Sequence, residues 1–130
     1  MDRFFLEGTP KTPKLSFNGE SGLFEISGRS IPENSIEFYR PVLDWLDQYI
    51  THPVEHITLI VKLEYFNTSS SKCLVDIFRR LERMYQQGTY IHVKWFYEPE
   101  DEDMQDSGLD FKEITRLPLE MIVVDGETDN

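Results

Sequence analysis

Asn67-Thr68-Ser69-Ser70-Ser71-Lys72 is the stretch whose residue types best suit chemistry. It follows a strongly alternating apolar segment and precedes a helical one, so it stands where a strand hands over to a helix. Three uses are open to hydroxyls at such a place. One of them caps the helix by accepting a bond from a free backbone N–H, and Thr68 or Ser69 suits that role. The free N–H groups cradle a phosphate, but no glycine-rich loop leads into the helix and no Gly-Lys-Ser/Thr ending is present. Or a hydroxyl accepts a phosphoryl group, gaining ≈ −1.5 to −2 charge where the helix dipole tolerates an anion. Lys72 is the one cation close enough to fold back on such a phosphate; Arg79, Arg80 and Arg83 lie further down the helix.

The remaining candidates fall short. His52, His56 and His92 have no paired motif, and no Gly-x-Ser-x-Gly exposes a serine nucleophile. The acidic run Glu98 to Asp106 opens like a calcium loop with Asp101, Asp103 and Gln105. Its sixth position is Asp106 where glycine is needed, and its twelfth is Lys112 where glutamate is needed. It reads as a solvated loop leading into an acidic helix start. No acid–base or metal constellation is visible, so an enzyme is not expected, and neither is a cofactor. Cys73, the single cysteine, reads as a small buried residue and excludes an internal disulfide.

The elements that must position the hydroxyl cluster are legible from periodicity. Leu15 to Phe17 and Leu23 to Ser27 form a hairpin across an Asn-Gly-Glu-Ser-Gly turn. Asn34 with Glu37 is a capping box, and Ile36, Tyr39, Val42, Leu43, Leu46, Tyr49 and Ile50 recur at helical spacing. Pro41 either kinks that helix or marks the start of its regular part. In His56 to Phe66, alternation sends Ile57, Leu59, Val61, Leu63 and Tyr65 inward, and Ile60, Lys62, Glu64 and Phe66 to a mixed face. Leu74, Ile77, Phe78, Leu81, Met84 and Tyr85 stripe the next helix, which ends at Gly88. A strand at 90–97, a helix between Asp101 and Ile114 and a strand at 119–124 complete the chain. The expected fold is a single α/β domain over residues 1–125. It has a mixed sheet opening with an antiparallel hairpin, helices chiefly on one face, and a polar tail at 126–130. Ile60, Phe66, Tyr90 and Phe96 then lie on a sheet face that the N-terminal segment or another chain would cover.

Composition narrows the partners. Thirteen bases against 24 acids give a net charge of −11 over 130 residues. That disfavours nucleic acid and anionic membrane surfaces, both of which need clustered Lys and Arg. A protein partner remains. Glu7 and Gly8 end the opening apolar run, no segment reaches membrane-spanning length, and a cytoplasmic protein without membrane insertion is expected.

Leu63-Glu-Tyr-Phe-Asn-Thr-Ser-Ser-Ser-Lys72 resembles the signature of the SiaC-family regulatory phosphoproteins. So do Phe38-Tyr-Arg-Pro-Val-Leu-Asp-Trp-Leu46, Trp95-Phe-Tyr97 with its acidic run, and Leu6-Glu-Gly-Thr-Pro-Lys-Thr-Pro13. The resemblance spans about Phe4 to Val124 and implies a fold similar to STAS domains, the class of anti-sigma-factor antagonists. Those carry a phosphorylated serine within Asp-Ser-x-Gly; here the positions read Asn67-Thr68-Ser69-Ser70, similar to the SiaC pattern with threonine as phosphoacceptor. The resemblance implies that Thr68 is phosphorylated by a serine/threonine kinase of the anti-sigma-factor type and dephosphorylated by a metal-dependent protein phosphatase. It implies that the unmodified form activates a diguanylate cyclase and so promotes biofilm formation. Asn67, Ser69, Ser70, Ser71 and Lys72 are the expected partner-facing neighbours. A generic antagonist acting on transcription, or a phosphate- or nucleotide-binding module, are the alternatives.

Overall fold

The computed structural model describes residues 3–124; the expected polar tail lies outside the described residues. The elements in chain order are β1 (Arg3–Leu6), β2 (Lys14–Asn18), β3 (Leu23–Ser30), α1 (Ser35–Tyr49), β4 (His56–Phe66), α2 (Thr68–Gln86), β5 (Tyr90–Tyr97), α3 (Glu102–Ile114) and β6 (Leu119–Val123). They build one six-stranded sheet in the order β1-β2-β3-β4-β5-β6. β1 to β3 run antiparallel, and β3 to β6 run parallel through α1, α2 and α3. Each crossover advances the sheet in the same direction. Such connections are right-handed, so all three helices fall on one face.

That face holds the core. Leu15, Phe17, Phe24, Ile26, Leu59 and Val93 are fully buried on the strands, and Tyr39, Val42, Leu46, Ile77 and Leu81 meet them from the helices. The β2–β3 hairpin closes on Gly22, whose φ is +81°. A Cβ there would stand 2.1 Å from the His56 carbonyl, so only glycine lets the turn lie against the start of β4. Asn34 caps α1 as its spacing predicts, accepting from Glu37 N–H at 3.1 Å. The helix passes through Pro41 without ending.

Three expectations are corrected. The opening residues, assigned to no strand by pattern, form β1 and extend the sheet as its edge. The described N-terminal residues therefore do not cover the open face. Ile36 is 67% exposed and not part of the inner stripe. Ser35 takes the inward position at the helix start instead, because its hydroxyl joins a polar cluster described below. Finally, the alternation of β4 breaks near its end. Gly28 pairs with Leu63 but Arg29 pairs with Tyr65, leaving Glu64 as an extra residue in a bulge. The bulge swaps the faces beyond it. Tyr65 points out, 50% exposed, and Phe66 turns to the helix side, 6.3 Å from the rings of Trp95 and Phe111.

Candidate functional site

The bulge delivers the chain from β4 into α2 at the C-terminal end of the sheet, where open α/β folds gather their sites. Asn67, extended at φ −84° and ψ 175°, is the N-cap. Its side-chain oxygen accepts from Ser70 N–H at 2.8 Å. The cap expected from Thr68 or Ser69 is thus supplied one residue earlier, because an extended Asn67 reaches the third helical N–H.

Beneath the cap lies a buried hydroxyl network. Ser30 Oγ donates to Ser70 Oγ at 2.8 Å, and Ser70 Oγ donates to the Ser30 carbonyl at 3.0 Å. Ser30 has then used its only proton, so the Tyr39 hydroxyl, 2.6 Å away, must donate to it. Burial pushes the Tyr39 phenol up to about 12, against the opposing pull of its bond to Ser30, and it keeps its proton at neutral pH. A second chain runs from Ser35 to Ser69 at 2.7 Å and from Ser69 to Asn67 Oδ1 at 3.2 Å. Asn67 N–H also donates to the Ser30 carbonyl at 3.1 Å. The start of α2 is therefore pinned to the end of β3 and the start of α1.

This network sorts the hydroxyls. Ser70 is fully buried and engaged, out of a partner's reach. Ser69 is exposed, but its hydroxyl is held between Ser35 and Asn67. Ser71 is half-buried one position further in. Thr68 is exposed at the first helical position, and among the described residues its hydroxyl makes no hydrogen bond. Lys72 is exposed one turn on. Cys73 is buried as expected, and burial, with the nearby Asp76 charge, pushes its thiol up. Sequence reasoning missed Ser30, Ser35 and Tyr39. A serine at a strand end and another at a helix start are ordinary, and only the fold brings them to residues near 70.

The surroundings are acidic. Between the end of β4 and α3 lies an open groove of about 390 Å³, lined among others by Glu64, Tyr65, Asp101, Asp103, Asp106 and Asp110. Asp101, from the acidic run, caps α3 by accepting from Met104 N–H at 3.0 Å. Among the described residues, no three His, Cys, Asp or Glu side chains gather in a way that could hold a metal ion.

The sequence pattern described as the SiaC family regulatory phosphoprotein matches residues 6–124. The chain belongs to the SiaC family. A protein of Pseudomonas aeruginosa strain UCBPP-PA14 is 30% identical over 119 residues, covering 92% of this chain and 94% of its own. The crystal structure of apo-SiaC from Pseudomonas aeruginosa superposes with a TM-score of 0.84 at 29% identity, covering 94% of this chain and 99% of that one. A second solved structure holds the diguanylate cyclase SiaD in complex with its activator SiaC from Pseudomonas aeruginosa. Its match has a TM-score of 0.86 at 29% identity and covers 93% of this chain and 99% of that one. The mixed α/β architecture read from the sequence is thus the architecture of this family. Among the described residues, no helix is long and apolar enough to cross a membrane.

Proposed function

We propose that this SiaC-family chain is a non-catalytic, cytoplasmic partner-switching protein that activates a diguanylate cyclase when Thr68 is unmodified and releases it when Thr68 is phosphorylated. The observation that carries this reading is the contrast within one helical turn. Thr68 presents an exposed hydroxyl that makes no hydrogen bond among the described residues, while Ser69 and Ser70 commit theirs to the fold. A kinase needs the first kind of hydroxyl. The SiaD–SiaC complex of the relative supplies the partner class.

The switch is local electrostatics. A phosphate on Thr68 adds ≈ −1.5 to −2 charge. Lys72 is the cation nearest in sequence, and the flank at Glu64 and the α3 aspartates is acidic. A partner covering the start of α2 would have to desolvate that charge without neutralising it. The kinase of the anti-sigma-factor type and the opposing metal-dependent phosphatase read the same exposed turn. Cyclic-di-GMP output and biofilm formation follow the unmodified form.

Calorimetry against a diguanylate cyclase from the same organism tests this reading, using unmodified protein and protein phosphorylated at Thr68. The expected result is binding weakened by about a hundredfold or more on phosphorylation, with Thr68→Ala binding like the unmodified protein. Equal binding in both states would overturn it.

A further inference from the structure

The sheet face opposite the helices is bare among the described residues, and its charge runs against that of the chain. Alternation and register put Arg3, Lys14, Lys62 and Lys94 on it against Glu25 and Glu120, with Glu64 at its rim where the bulge begins. Over the whole chain acids outnumber bases 24 to 13, so this face reverses the balance.

The arrangement across β4, β5 and β6 is specific. Ile60 on β4 lies opposite Lys94 on β5, and Lys94 opposite Glu120 on β6. Lys62 holds its ammonium 4.9 Å from the Phe96 ring centroid, and Phe96 pairs with Ile122. Two of the three acids of the face have a basic neighbour on it, and Glu64 makes no ion pair among the described residues. Glu25 pairs with Lys14 at 3.7 Å, and Glu120 stands 3.2 Å from the His92 ring. Neither Lys62 nor Lys94 has a described carboxylate within 4.0 Å. Two lysines without an acid partner among the described residues therefore alternate with Ile60, Phe96 and Ile122 on β4, β5 and the edge strand β6. The arginines of α2 differ in this respect. Arg80 and Arg83 bond Asp47, and Arg79 bonds Glu82.

From this we infer that the open face is a second docking surface, separate from Thr68, and that it takes an acidic amphipathic segment of a protein partner. Carboxylates would pair with Lys62 and Lys94, while leucine- or isoleucine-like side chains would cover Ile60, Phe96 and Ile122. Desolvating a lysine without an anion is costly, so an apolar partner alone is rejected. A purely acidic one leaves the apolar strip wet. The face lies across the sheet from α2, so its occupancy does not depend on the modification state of Thr68.

The probe is a synthetic helical peptide with glutamates along one side and leucines along the other, titrated into the isotopically labelled full chain. Amide shifts are expected at Ile60, Lys62, Lys94, Phe96 and Ile122. The double variant Lys62→Glu with Lys94→Glu should weaken binding about tenfold or more. Arg79→Glu with Arg83→Glu should leave it unchanged, and so should Thr68→Asp. A matching peptide with lysines in place of the glutamates should not bind. The inference is overturned if the shifts fall on α2, if the arginine variant weakens binding as much as the lysine variant, or if the lysine variant binds like the natural chain. Because Thr68→Asp is silent here, failure of this inference and failure of the phosphorylation switch are separately visible.

Discussion

Ser70 and Ser30 bond each other twice: the Ser30 hydroxyl donates to Ser70 Oγ at 2.8 Å, and Ser70 Oγ returns its proton to the Ser30 carbonyl at 3.0 Å. Both side chains are fully buried. Ser70→Ala would leave the Ser30 hydroxyl without its acceptor in a site water does not reach. The expected loss is about 1–3 kcal/mol of folding stability. Thr68→Ala, on the exposed side of the same turn, should stay within about 0.5 kcal/mol. Urea unfolding of the two variants checks the contrast. Equal effects would mean that the network does not hold the turn.

Asn67 links that network to the helix. Asn67→Ala removes the acceptor for Ser70 N–H and for the Ser69 hydroxyl together. The expected cost is about 1–2 kcal/mol, at the upper end for a helix cap, whereas Asn67→Asp should retain most of the stability. Amide exchange resolves where the loss falls. The N–H of Ser70 should exchange faster in the alanine variant, while that of Leu81, deep in α2, should change only with global stability.

How much of this was legible in the sequence depends on the range of the interaction. Most of the strands and the helices follow local periodicity, so β4, α2 and β5 fall where alternation and the stripe of Leu74, Ile77 and Phe78 put them, whereas the 4 residues of β1 at the sheet edge carry too short a pattern to read. The position of Thr68 at a strand-to-helix junction follows from the same signals. What alternation cannot carry is an inserted residue. One bulge at Glu64 turns Tyr65 outward and Phe66 inward without altering the composition of the strand. Nor can it carry contacts between segments thirty or forty residues apart. The reason Ser70 is engaged lies in Ser30 and Tyr39, which nothing near residue 70 announces.

α3 packs on the sheet through Gly108. A Cβ at this position would stand 2.6 Å from Trp95 Cδ1 and Nε1 and 2.7 Å from Met121 Cε. Trp95 cannot yield easily, since it is fully buried and its Nε1 donates to the Met104 carbonyl at 3.1 Å. Gly108→Ala should therefore destabilise by about 1–3 kcal/mol through overpacking, despite the better helix propensity of alanine. Thermal unfolding followed by tryptophan fluorescence measures it. A stabilised variant would show that α3 can lift from the sheet at little cost.

Glu82 ties the middle of the molecule together. Its buried carboxylate accepts from Arg116 N–H at 2.7 Å, from the Thr115 hydroxyl at 2.9 Å and from Arg79 at 2.9 Å, joining α2 to the turn between α3 and β6. Burial alone would push the carboxyl up, but these bonds and the Arg79 charge outweigh it and hold it below its ordinary value of 4.5. A carboxyl depressed in the folded state stabilises the fold above its unfolded value, and that stability is lost as pH falls through the folded value. Glu82→Gln should accordingly be less stable than the natural chain at pH 7. The gap should narrow only once the pH drops below about 4.5, as protonation removes the natural residue's advantage. Denaturant melts of both proteins from pH 7 to pH 3 provide the measurement. A gap independent of pH would mean that Glu82 acts by shape and neutral hydrogen bonds, with no contribution from its charge.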